Sequence, residues 1–179
     1  WLQHVQKPAR YTGGEYNSIV KDHSTVDVTM ALAFPDVYEV AMSHLGIKIL
    51  YGLVNRREDA AAERVFAPWH DMEEEMRKRN IPLFSLETRT PIKDFDVLAF
   101  TLQYEMSFTN ILNMLDLASI PMYAKDRDMD FPLLVCGGPC AFNVEPIADF
   151  FDIVSLGESE EWGDEFIDLY KAEKAKGFP

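Results

Sequence analysis

Cysteine is scarce in this chain of 179 residues, which holds only Cys136 and Cys140. Two thiols make no disulfide framework, and a chain this long buries roughly 70% of its unfolded surface, so its core needs no covalent staple. They also fall short of a metal site, since structural zinc wants about four ligands and iron-sulfur clusters about three or more cysteines. We read Cys136 as a small buried strand residue and Cys140 as a turn residue, both reduced in a cytoplasmic protein. Long apolar runs are lacking as well. None approaches the roughly 18–20 residues of a membrane-spanning helix, and no cationic start followed by an apolar stretch marks export. Cations are outnumbered, 17 Lys and Arg against 30 Asp and Glu, for a net charge of −13. Such a surface repels nucleic-acid backbones, so nucleic acid is not an expected partner. An initiating methionine is wanting too. The chain runs from Trp1 to Gly177-Phe178-Pro179, which suggests a piece of something longer.

What is present is an alternation of short apolar runs and helical patterns. Residues 1–22, with Pro8 and Gly13-Gly14, read as an extended arm whose aromatics can dock on the core, and residues 23–179 as one domain. Strands are expected at Val26–Phe34, Glu63–Ala67, Val97–Leu102, Pro132–Cys136 and Ile153–Leu156. Leu83–Leu86 reads as a short strand or an irregular crossover. Helices are expected from an N-cap at Ser43 to about Arg56, over Trp69–Asn80 as an exposed helix, over Ser107–Leu117, and over Glu160–Lys176. The last carries Trp162, Phe166, Ile167 and Tyr170 on one face, with acids at its start and lysines at its end, as the helix dipole favours. Asn143–Phe150 reads as a short helix or loop. This rhythm predicts an α/β fold: a Rossmann-like or flavodoxin-like open sandwich, mostly parallel, with helices on both faces.

In such sheets ligands sit at the carboxyl ends of the strands. Four loops fall there: Pro35–His44, Gln103–Ser107, Gly137–Glu145 and Gly157–Glu161. They bring Tyr38, Tyr104, Ser43, His44 and Asn143 together with Glu39, Glu105, Glu145, Glu158 and Glu160, and hardly a cation apart from Lys48. No phosphate loop of the GxxxxGK type and no GxGxxG turn occurs. A free-standing flavodoxin-like redox protein would need a hydroxyl-rich loop after the first strand, where PDVYEV stands instead. Gly137-Gly138 fits a tight strand exit or a close backbone approach to a ligand. His44, alone at a helix start, reads as a packed or solvent-facing residue rather than a base, and Glu158 and Glu160 as acids placed by the dipole. Nothing forms a triad, so no catalytic residue is assigned.

Taken together, FPDVYEVAMSHLGIKILY, TLQYEMSFTNILNML and CGGPCAFNVEPIADFFDIVSLGESEE, with the leading KPARYTGGEYNS, resemble the N-terminal domain of cobalamin-binding-like radical S-adenosylmethionine proteins. The resemblance runs from Lys7 to about Tyr170. It implies an accessory domain that offers a cobalamin or substrate surface. It also implies a radical S-adenosylmethionine domain in the same chain as partner, carrying a 4Fe-4S cluster through CxxxCxxC and cleaving S-adenosylmethionine. That cluster motif is not completed here: after Cys136 and Cys140, position 143 is Asn. The histidine signature DxHxxG is not met either, because Met42 precedes His44 where Asp is needed and Ile47 stands where Gly is needed. A cobalamin would therefore be held without histidine coordination. The implied lining is Tyr38, Glu39, Ser43, His44, Gln103, Tyr104, Gly137, Gly138, Asn143 and Glu158. The alternative is a ligand-free Rossmann-like interaction domain that packs the same edge on the radical domain.

Overall fold

The computed structural model describes residues 1–177, with backbone alone at position 161. Five strands form one sheet in the order β2-β1-β3-β4-β5. They are β1 Val28–Phe34, β2 Ala60–Phe66, β3 Val97–Thr101, β4 Leu133–Gly137 and β5 Ile153–Val154. Every pairing is parallel, with Ala33 beside Phe100, Phe100 beside Cys136 and Cys136 beside Val154. This is the doubly wound α/β sheet that the alternation predicts, in flavodoxin-like strand order, and its winding reverses between β1 and β3. β1 and β2 are buried along their whole length. β1 reads as a nearly continuous apolar run for that reason, whereas β2 also buries Glu63 and Arg64, each held by hydrogen bonds, Glu63 from Ser85 and Arg64 to Glu87.

Among the described residues five α-helices cover the sheet: α1 Tyr38–Ala41, α2 Leu45–Asn55, α3 His70–Arg79, α4 Phe108–Leu117 and α5 Ser159–Lys176. Side chains alternate along each strand, so one sheet makes two cores. On one face Ala31, Ala33, Leu98, Phe100, Leu134 and Cys136 meet Met72 and Met76 of α3 and Ile111, Met114 and Leu115 of α4. On the other, Met30, Leu32, Val97 and Val135 meet Ile47, Tyr51 and Val54 of α2 and Phe166 and Ile167 of α5.

Several local expectations change. The N-cap of α2 is His44, whose ring accepts from the Ile47 backbone N–H, and not Ser43; Ser43 Oγ donates instead to the Glu39 carbonyl. The reason is α1, an extra turn that ties Ser43 back to Glu39. Helix α3 is not exposed throughout, because Met72 and Met76, four residues apart, are enough to bury one side of an otherwise charged sequence. Strand β2 begins at Ala60, ahead of Glu63. Of the two alternatives for Leu83–Leu86, the structure takes the irregular crossover, which is tied to the outer edge of β2 at Arg64: Leu86 N–H donates to Arg64 O and Glu87 accepts from Arg64 N–H. Residues 139–150 are two 3-10 turns, Pro139–Asn143 and Glu145–Phe150, with a proline at the start of each.

The arm is bent into 3-10 turns at Leu2–His4 and Pro8–Tyr11, and it packs on the α3/α4 core through Trp1, Leu2, Val5 and Tyr11. Further along, Ile19 is bound through both its N–H and its carbonyl to the Tyr51 hydroxyl, and Lys21 Nζ donates to the carbonyls of Arg57 and Ala60. Phe178 and Pro179 lie outside the described residues.

Candidate functional site

At the carboxyl ends of the strands, α2 and α5 part over the sheet and leave an apolar slot of about 450 Å3. That volume is in the range of small-molecule sites. Its floor is Leu32, Ala99 and Val135, its walls are Leu50 and Val54 of α2 and Trp162, Phe166 and Ile167 of α5, and its mouth lies among Gln103, Gly137, Gly138, Phe142 and Glu158. Trp162 and Phe166 stack with centroids 4.6 Å apart and present a flat aromatic wall.

Two glycines shape the slot for different reasons. Gly138 has φ of 111°, and a Cβ there would stand 2.9 Å from the Leu102 carbonyl oxygen, so neither the backbone angle nor the space admits another residue. Gly163 lies inside α5, where a glycine costs about 1 kcal/mol relative to alanine. Nothing lies within 4 Å of the Cβ it lacks, and it sits one turn before the buried Phe166 and Ile167. No protein neighbour demands this glycine. It is one of the residues that line the slot.

A polar chain crosses the mouth. His44 Nδ1 accepts from the Ile47 N–H at 3.4 Å, which places the ring proton on Nε2 facing Gln103 Oε1 at 3.1 Å, and Gln103 Nε2 donates to Thr101 Oγ1. Gly46 makes room for this cap, since a Cβ there would stand 2.8 Å from His44 Cε1. Both ring nitrogens are thus engaged, and His44 offers no lone pair to a metal in this arrangement. Burial pushes the Cys136 thiol up to about 12, and Cys140 is raised by burial and by neighbouring Glu105, so neither is a ready thiolate. Among the described residues no group of three or more His, Cys, Asp or Glu is placed to hold a metal ion.

Of the residues expected at the edge, the fold gathers His44, Gln103, Gly137, Gly138 and Glu158 around the slot. Others are turned elsewhere. Tyr38 OH donates to Glu15 of the arm at 3.1 Å, and Glu39 takes Lys7 and Arg10, whose hydrogen bond holds the Glu39 carboxyl down to about 2. Ser43 is spent on Glu39 O, Tyr104 OH donates to Asp36 at 2.6 Å, and Asn143 is exposed at the end of its 3-10 turn. The inner lining, Leu50, Ala99, Val135 and Gly163, escapes loop-based reasoning because it lies within strands and helices. A glycine interrupting the strongly helical α5 pattern is the one sequence signal that points to it.

Fold and slot together define a doubly wound α/β domain with a ligand-sized apolar recess at its topological switch point. The chain belongs to the family described as radical SAM proteins, N-terminal, whose pattern matches residues 46–179. It is similar to the uncharacterized protein MJ0966 of Methanocaldococcus jannaschii, with 28% identity over 134 residues covering 73% of this chain and 24% of that protein. The chain thus spans about a quarter of the length of the curated relative it matches. No helix among the described residues is long and apolar enough to cross a membrane.

Proposed function

We propose that this domain is the accessory N-terminal domain of a radical S-adenosylmethionine enzyme, and that its slot receives part of a cobalamin, held by shape and hydrogen bonds rather than by a histidine ligand. The observation that carries the reading is the apolar recess of about 450 Å3, lined in part by Gly163. The residues present fit such a group. Leu50, Ala99 and Trp162 would enclose an apolar, flat moiety, Gly137 and Gly138 would let it approach the backbone, and the exposed Glu158 would accept from amide N–H groups at the mouth. A cobalamin bound there would supply a methyl carrier or an electron relay. The chain's own contribution is to exclude water from the recess and to keep His44 capping α2. The 4Fe-4S cluster and S-adenosylmethionine belong, on this reading, to a catalytic domain of the same polypeptide.

The test uses the full-length protein mixed with hydroxocobalamin and desalted. Corrin absorbance that travels with the wild-type protein, and is lost in Gly163→Leu while the fold persists, is the expected result. Protein that emerges without corrin rejects the cofactor and leaves the family membership untouched.

A further inference from the structure

The edge that carries the slot's mouth is both apolar and acidic, and nothing among the described residues covers it. Met106 is 85% exposed, Phe142 79% and Leu156 63%, and they follow β3, β4 and β5 respectively. Because these strands are successive neighbours spaced about 4.8 Å apart, the three residues belong to adjacent loops along one edge. Interleaved with them are the exposed Glu105, Glu145, Glu158 and Glu160. Residues 103–107, 138–145 and 155–160 contain no Lys or Arg. Exposed large apolar side chains on adjacent loops, rimmed by charge of one sign, mark an interaction surface. The sign selects the partner: a phosphate backbone or an acidic protein surface is repelled, and a basic rim around an apolar centre is drawn in.

We infer that this edge is the docking surface for another part of the same polypeptide, a face with an apolar centre and a Lys/Arg rim belonging to the catalytic domain. The inference rests on the reading that such a domain shares the chain. About three quarters of the length of the M. jannaschii relative lies outside the region matched here, which is ample to supply the face. Docking there would close the mouth of the slot, turning an open recess into an enclosed one between two domains.

Methionine oxidation of the corrin-free, full-length protein tests this directly, because the domain carries its own control. Met129, 66% exposed, lies in the segment between α4 and β4, at the opposite end of the sheet. Without docking, Met106 oxidises at least as fast as Met129. The expected result is the reverse: Met106 reacts several-fold more slowly, the protection survives dilution, and it weakens in Glu105→Lys/Glu145→Lys and when salt is raised to about 1 M. Comparable rates for the two methionines overturn the inference. So does protection lost on dilution, which assigns the edge to a second copy of the chain, or protection indifferent to salt and to charge reversal. A chain that retains no corrin but protects Met106 separates failure of the cofactor reading from failure of this one.

Discussion

The two faces of the sheet are built from the same strands yet packed to different ends. Toward α3 and α4, Met72, Met76, Leu98, Ile111, Met114, Leu115 and Leu134 are all fully buried. Toward α2 and α5 the packing leaves the slot, whose lining runs from Met30, Val54 and Val97 to Gly137, Gly138 and Glu158 at the carboxyl ends of the strands. The closed end of that second face is laced by charge. Arg57 meets Asp59, Asp164 and Asp168, Lys171 meets Asp27 and Asp59, and Lys174 meets Asp96. The difference teaches that one face supplies stability while the other is a helix pair clamped at one end and parted at the other.

The largest effect that could break this comparison is in the filled core. Leu98→Ala is expected to cost about 2–5 kcal/mol in chemical denaturation, whereas Leu50→Ala, beside space that already exists, should cost less than about 2 kcal/mol. Equal losses would mean that the slot collapses in solution. Next is the clamp: Arg57→Ala removes hydrogen bonds to three carboxylates. It should lower stability by about 1–2 kcal/mol, with a smaller difference at high salt because two of the partners are well exposed. Gly163→Ala should move the other way, raising stability by about 0.5–1 kcal/mol because the helix gains and no neighbour is displaced. A loss instead would show that the space beside Gly163 is not open.

The smallest expected effect is on acid titration. Arg10 holds Glu39 from 4.5 down to about 2, and hydrogen bonds from Arg57 and from Arg56 hold Asp59 and Asp164 below their ordinary range. Groups depressed in the folded state stabilise it above their unfolded pKa and cease to do so as pH falls through the folded value. Urea midpoints should therefore decline from about pH 4.5 toward about pH 2. In Glu39→Gln the part of that decline due to the arm's anchor should be gone, and an unchanged profile would show that the arm pairing does not persist in solution.

Much of this was legible in the chain because it depends on local periodicity. The run VDVTMALAF, stopping at Pro35-Asp36, has the profile of a buried strand, and the acid-to-lysine gradient of α5 marks where that helix starts and ends. The candidate site was read less completely. His44, Gln103, Gly137, Gly138 and Glu158 follow from the rule that ligands sit at strand ends, and the fold does bring them to one recess. Tyr38 and Glu39 obey the same rule and are nonetheless turned to the arm, because their partners Glu15, Lys7 and Arg10 are more than twenty residues away in sequence. Pairing over such distances leaves no local trace.

By itself, then, the sequence determined the alternation of strands and helices and the parallel sheet, since each follows from side-chain period and from the handedness of the connections. Only the tertiary structure decided that α2 and α5 would part over the sheet, that Gly163 would face the gap, and that both nitrogens of His44 would be engaged. Those outcomes depend on how far apart two helices lie and which way one ring turns, quantities set by packing between segments that the order of residues does not place side by side.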